Sequence, residues 1–240
     1  MWGVESVNAG PVSAAARLLV GQEQIIRQRD NALLRSARDG RVGRQNLRRM
    51  VQADQLCLAT ETVAYAVLLA RFPSGPAADL FAALNSALRS LRPSLDRCAE
   101  ALGSPPVSAL DPSTAADAFA FPMAVSWMCL HAGPAAAALA LRSDFAAYAR
   151  ESRELMKVLA ETGAEVPEAV RDHYSMPAPS ELLDLAAAAV EDGVREGDVS
   201  DQAGSVAGVL LAGLDRFWRF AAGPEPAPSA VGACPRSLQG

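Results

Sequence analysis

Aromatic residues make up only 5% of this 240-residue chain, histidine occurs twice, and β-branched residues are sparse beside an abundance of alanine. Strands draw on the residue types that are short here, so the composition points to helix. An excess of positive charge is missing too: 22 Lys and Arg stand against 27 Asp and Glu, for a net charge of −5. Nucleic-acid binders show the reverse balance, which sets that class of partner aside. The four cysteines, Cys57, Cys98, Cys129 and Cys234, form no C-x-x-C pair and no metal-ligand spacing. Three of them fall in apolar stretches, where a free thiol behaves as a small hydrophobe. The N-terminus carries no signal-peptide pattern, so a reducing cytoplasm is the expected compartment.

What is present suits one core. Half of the residues are apolar and a fifth are charged, a globular balance in a chain long enough for one large domain. Gly and Pro punctuate a series of helical patterns. They predict helices at about 11–38, 44–71, 76–102, 134–162, 167–174, 180–194 and 200–220, with Pro93 as a kink in the third. From Ala118 to Leu141 no residue is formally charged, a length able to span a bilayer. Pro122, His131 and the Gly133-Pro134 pair interrupt that run and no aromatic belt marks its ends. A buried central helix broken near Gly133 is therefore expected, and no membrane partner. The predicted fold is an all-α single bundle of about seven helices over residues 1–222, with a disordered tail over 223–240.

The informative segment is the helix expected at 44–71. Leu47, Val51, Leu58, Tyr65 and Leu69 recur at helical spacing and define its apolar stripe. Asp54 and Glu61 belong to the same stripe. At ~100° per residue, positions 54, 61 and 65 fall within about 40° of one another. A buried carboxylate must be paired, protonated or beside a wet cavity. The preceding helix repeats the theme, with Glu23 and Asp30 on the face of Leu19, Ile26 and Leu33. Facing acids of this kind suggest a polar pocket inside the bundle. The plainer alternative is that they pair with Arg17, Arg27 or Arg48, or cap backbone.

Asp39-Gly40-Arg41-Val42, followed by the run from Leu47 to Leu58 with Gln52-Ala53-Asp54 at its centre, resembles the signature of the TenA-like (thiaminase II) family of the haem-oxygenase-like superfamily. There a D-G-x-L turn precedes a helix of pattern F-x-x-Y-x-x-Q-D-x-x-Y-L. Ser126 to Gly133, with Trp127, is similar to that family's C-x-W-x-Y-x-x-x-G helix, and Phe217-Trp218 to its E-x-x-F-W. The resemblance covers roughly residues 10 to 222 and implies a helical bundle around a small-molecule pocket.

In the family an aspartate holds a substrate amine, a cysteine is the nucleophile, and a C-terminal glutamate assists. Only the aspartate carries over, as Asp54; Val125 occupies the nucleophile's position and Leu214 the glutamate's, with Asp215 turned about 100° away. Cys57 replaces a family tyrosine, and Cys129 falls at a tyrosine position. Thiaminase chemistry is thus not expected. The related di-iron branch needs several inward histidines, and His131 and His173 lie in no such arrangement, so neither metal nor haem cofactor is expected.

The functional expectation is an enzyme of specialised-metabolite, antibiotic-type biosynthesis acting at a C–N bond of an amine-bearing substrate. Asp54 and Glu61 are the expected catalytic pair, Glu61 as general base or second anchor. Tyr65, Cys57, Trp127, Trp218, Tyr148 and Glu23 are the expected substrate-binding residues, with Phe145 a similar case to Tyr148. Two reactions suit carboxylates without a nucleophile: C–N hydrolysis, or cyclisation in which the amine displaces an anionic leaving group, three-membered nitrogen rings formed by sulfate loss being one version. The alternative is a non-catalytic amine-binding or accessory protein. The arginines at 35, 38, 41, 44, 48 and 49 form either a solvated face or an attraction for an anionic substrate or acidic carrier protein. The family resemblance further implies a homo-oligomer, or a complex with a partner protein.

Overall fold

The computed structural model describes residues 13–113, 115–198 and 200–224. Among them the chain forms α1 (Ala14–Gln28), α2 (Ala32–Arg38), α3 (Arg44–Arg71), α4 (Gly75–Leu102), a 3-10 turn (Val107–Ala109), α5 (Ala116–His131), α6 (Pro134–Glu161), α7 (Glu168–Tyr174), α8 (Ser180–Arg195) and α9 (Ser200–Ala222). The described residues contain no strand. The tail expected over 223–240, with Cys234, lies beyond Pro224 and outside the described residues.

Local chemistry accounts for most helix ends. Ser13 caps α1 by accepting from the Ala16 N–H at 3.1 Å, and Asn31 caps α2 by accepting from Leu34 at 2.7 Å. Gly40 and Gly103 adopt left-handed backbone, which glycine tolerates, and so close α2 and α4. Asp198 reaches back to the Ala135 N–H at 2.8 Å and caps α6 from a distant loop. Half of the arginine run serves other ends: Arg44 and Arg48 donate to the Leu102 carbonyl of α4, and Arg49 to the Ala221 and Ala222 carbonyls of α9, while Arg35, Arg38 and Arg41 pair with Asp30 and Asp39.

One helix expected from sequence is two. The segment 11–38 breaks at residues 29–31 although no Gly or Pro stands there. Arg29 turns to extended backbone (φ −69, ψ 140) and its guanidinium enters the bundle, meeting Glu151 of α6 at 2.9 Å and Asp215 of α9 at 2.8 Å. That buried pairing outweighs continuation of the helix. Asp30, expected to face inward, is instead exposed and paired with Arg35 and Arg38. Pro93 does not break α4, which continues through it.

The helices pack in a closed cycle: α3 against α4, α4 against α8, α8 against α6, α6 against α9, and α9 back against α3. α5 fills the angle between α3 and α9, and α7 wedges between α4 and α6. At one crossing the backbones nearly touch, because a Cβ added to Gly213 of α9 would stand 2.9 Å from the Phe121 Cα of α5. The uncharged run from Ala118 divides at Ala132-Gly133 into α5 and the start of α6, whose residues Ala135 to Leu141 are all buried. One helix among the described residues, α3, is long and apolar enough to cross a membrane by length and composition. Its inner side packs in the core through Leu47, Met50, Val51, Ala64 and Leu68.

Candidate active site

α3 and α6 face each other across the interior, and polar side chains from both meet there. Asp54 of α3 accepts two phenolic hydrogen bonds on Oδ2, from Tyr148 of α6 at 2.8 Å and from Tyr174 of α7 at 3.0 Å. His173 Nε2 stands 3.8 Å from the same oxygen, while its Nδ1 lies 3.1 Å from Ser94 Oγ of α4. Neither Asp54 nor Glu61 pairs with an arginine among the described residues, as the plainer reading had it. The paired acids are Glu23, 3.1 Å from Arg142 and 3.9 Å from Arg27, and Asp30, held by Arg35 and Arg38.

Two helical turns along α3, Glu61 is buried and accepts from the Tyr65 hydroxyl at 2.7 Å. Burial pushes the Glu61 carboxyl up to about 8, more than the Tyr65 hydrogen bond pulls it down, and the charge of Asp54 adds to the rise. Asp144 of α6 is raised well above the carboxylate range, by burial first and then by Glu61; Arg29 acts the other way. Burial and the nearby acids also push the Cys57 thiol up, so it remains a neutral thiol.

These groups surround a cavity of about 120 Å³. Asp54, Cys57 and Glu61 line it from α3, Asp144 and Tyr148 from α6, and His173 from α7. Its apolar walls come from Leu88, Leu91 and Leu95 of α4, Phe121 of α5, and Leu214 and Phe217 of α9. No arginine or lysine is among the described residues lining it. The space holds roughly four waters at ~30 Å³ each and is acidic on its polar side. Among the described residues no group of three or more His, Cys, Asp or Glu side chains is disposed to hold a metal ion.

Five of the candidate site residues named from the sequence therefore line the cavity: Asp54, Cys57, Glu61, Phe145 and Tyr148. Tyr65 is fully buried and touches it through Glu61. Trp218 is fully buried one layer back, its ring stacked on Tyr148 at 5.7 Å, so it backs the wall instead of facing a ligand. Trp127 is elsewhere. It is 45% exposed on the outside of α5, against His131 at 5.4 Å and on a stripe with Met123 and Leu130. α5 is apolar all round, so its sequence offers no face to tell inside from outside. Glu23 lies on the outer part of α1, its side chain 44% exposed.

Asp144, His173 and Tyr174 were missed. Asp144, Tyr148 and Glu151 follow one another at i, i+4 and i+7 in α6, the same signal that marked Asp54, Glu61 and Tyr65. His173 and Tyr174 carry no such signal, because a seven-residue helix has too few turns to show a face.

Leu214, at the position where the TenA-like pattern has glutamate, lines the cavity; Asp215 turns away to Arg29. Val125 is fully buried in α5. No family model, no curated protein and no solved structure matches the chain.

Proposed function

We propose that this chain is a small-molecule enzyme that binds an amine-bearing substrate in the α3–α6 cavity and acts at a C–N bond by carboxylate positioning and general-base catalysis. One observation carries the reading: Asp54 and Glu61 open onto a partly enclosed cavity with no arginine or lysine among its described lining residues. A protonated amine supplies the charge such a site needs. Support also comes from the TenA-like resemblance, whose one retained functional residue is Asp54.

The phenols of Tyr148 and Tyr174 both bind Oδ2 of Asp54, which leaves Oδ1 to accept from the substrate N–H. Stacking on Trp218 fixes the Tyr148 ring and hence the carboxylate. Glu61, with a carboxyl at about 8, is matched to proton removal from an amine near neutral pH, and a cation arriving beside it draws its proton off. In the cyclisation, a substrate nitrogen at the Glu61 end of the cavity, separate from the amino group anchored on Asp54, gives its proton to Glu61 and forms a bond to carbon, while the carbon–oxygen bond to an anionic leaving group breaks with its electron pair. The acidic lining disfavours that anion, so it departs toward solvent. C–N hydrolysis uses the same base on a water. Antibiotic-type metabolism is the setting that the divergence from the TenA pattern suggests.

A second reading has its own observation. No activated nucleophile lines the cavity among the described residues: Cys57 is held as a thiol by burial, and Val125 replaces the family cysteine. A non-catalytic amine-binding protein supporting a partner enzyme needs none. Incubation of the wild-type chain and Asp54→Asn with a fractionated amine pool, followed by mass spectrometry, separates the two. An enzyme consumes an amine and loses roughly 10²- to 10⁴-fold in rate on substitution. A binding protein retains an amine unchanged and releases it on substitution. A wild-type chain that neither consumes nor retains an amine overturns both readings.

A further inference from the structure

The chemistry above gives work to Asp54 and Glu61 and none to Asp144. Yet Asp144 is 4% exposed, lines the cavity, and its Oδ1 has no hydrogen-bond partner among the described residues. A carboxyl oxygen kept in a core without a donor is costly, and the natural explanation is a donor that arrives with a ligand.

Its position shows which part of the ligand. Asp54 and Glu61 are two turns apart, about 10 Å along α3. Tyr148 of α6 reaches Asp54, and Asp144 lies one turn before Tyr148, where Glu61 is the strongest charge acting on it. The cavity thus has two acidic ends. One is Asp54 with Tyr148, Tyr174 and His173; the other is Glu61 with Tyr65 and Asp144. Leu58 stands between Asp54 and Glu61 in sequence and lines the cavity, as does Phe217.

We propose that the cavity takes a small diamine, one ammonium at Asp54 and the other between Glu61 and Asp144, with the carbon chain along Leu58 and Phe217. This rests on the reading that Asp54 holds an amine and adds a second amine-binding end to it. A monoamine satisfies one end and leaves the Asp144 oxygen bare. The volume suits the size class: about 120 Å³ is close to the ~150 Å³ that takes a six-heavy-atom molecule such as benzene, which accommodates a short linear diamine and excludes a long polyamine.

Calorimetric titration of the full chain with putrescine, the matching amino alcohol and butylamine tests the proposal. Putrescine is expected to bind roughly 30-fold more tightly than butylamine, the size of one charge-assisted hydrogen bond, with the amino alcohol near butylamine. Asp144→Asn, its fold checked by circular dichroism, is expected to shrink the putrescine preference to within about 3-fold. Equal affinity for putrescine and butylamine, or for putrescine and the amino alcohol, overturns the diamine and leaves the amine reading standing. A preference that survives Asp144→Asn overturns the placement of the second ammonium. If neither amine binds, the amine reading falls as well.

Discussion

Tyr148 joins three parts of the interior: its hydroxyl holds Asp54, its ring rests on Trp218, and its edge meets Phe217. Tyr148→Phe keeps the ring contacts and removes one of two donors from a largely buried carboxylate. We expect a loss of about 1–2 kcal/mol in urea unfolding, together with weaker amine binding because Asp54 is freer to turn. Asp144 runs the opposite way. It is a buried acid raised above its ordinary range, so Asp144→Asn should stabilise the empty chain above neutral pH by on the order of 1–2 kcal/mol. A site residue whose removal strengthens the fold is the signature of a position kept for binding. A lower melting temperature for Asp144→Asn would show that the carboxyl is structural.

At the scale of elements, two junctions hold the helices around the cavity. The first is Arg29, which ties the α1–α2 break to α6 and α9 through Glu151 and Asp215. Its side chain is 10% exposed and that of Glu151 1%, so Arg29→Ala strands a buried acid, and a cost of about 3 kcal/mol in unfolding free energy follows. The second is the close crossing of α5 and α9 at Gly213. Gly213→Ala puts a methyl against the Phe121 backbone, which cannot rotate aside as a side chain would. The helices must part, at about 1–3 kcal/mol, and the shift moves Phe121 and Leu214, two walls of the cavity. Thermal denaturation reads the first effect, and putrescine titration reads the second.

For the whole molecule, the buried acids set how stability depends on pH. The folded chain holds a proton on Glu61 up to about 8, whereas the free carboxyl loses it near 4.5. Between those values the folded state carries a proton that the unfolded state has lost, so this contribution is full below the lower value and fades as pH rises through the upper one. One group gives about 1.4 kcal/mol per pH unit in that window, and Asp144 acts in the same direction. The groups acting on this pair are Asp54 and Tyr65 on α3, Glu151 on α6, and Arg29 at the α1–α2 break. Urea unfolding midpoints should therefore fall from about pH 5 to about pH 8, and Glu61→Gln should flatten the decline. A wild-type midpoint that is level across this range would mean that solvent reaches Glu61 freely.

The all-helical class, and ends such as those of α3 and α4, were settled by the sequence, because alanine-rich amphipathic patterns between Gly and Pro leave the backbone few choices. The inward stacking of Asp54, Glu61 and Tyr65 was also legible, since α3 is long enough for a face to emerge from its periodicity. The same spacing on α6 puts Asp144 and Glu151 on the face of Tyr148, but of the three only Tyr148 was expected at the site. Tertiary structure alone decided the rest. The break at Arg29 has no local cause, for its guanidinium finds its partners 122 and 186 residues away. The outward turn of Trp127 comes from packing on a helix with no polar side, and Tyr174 and His173 reach Asp54 only because α7 is wedged between α4 and α6. Periodicity tells which side of a helix is buried; what it is buried against depends on side chains that only folding brings together.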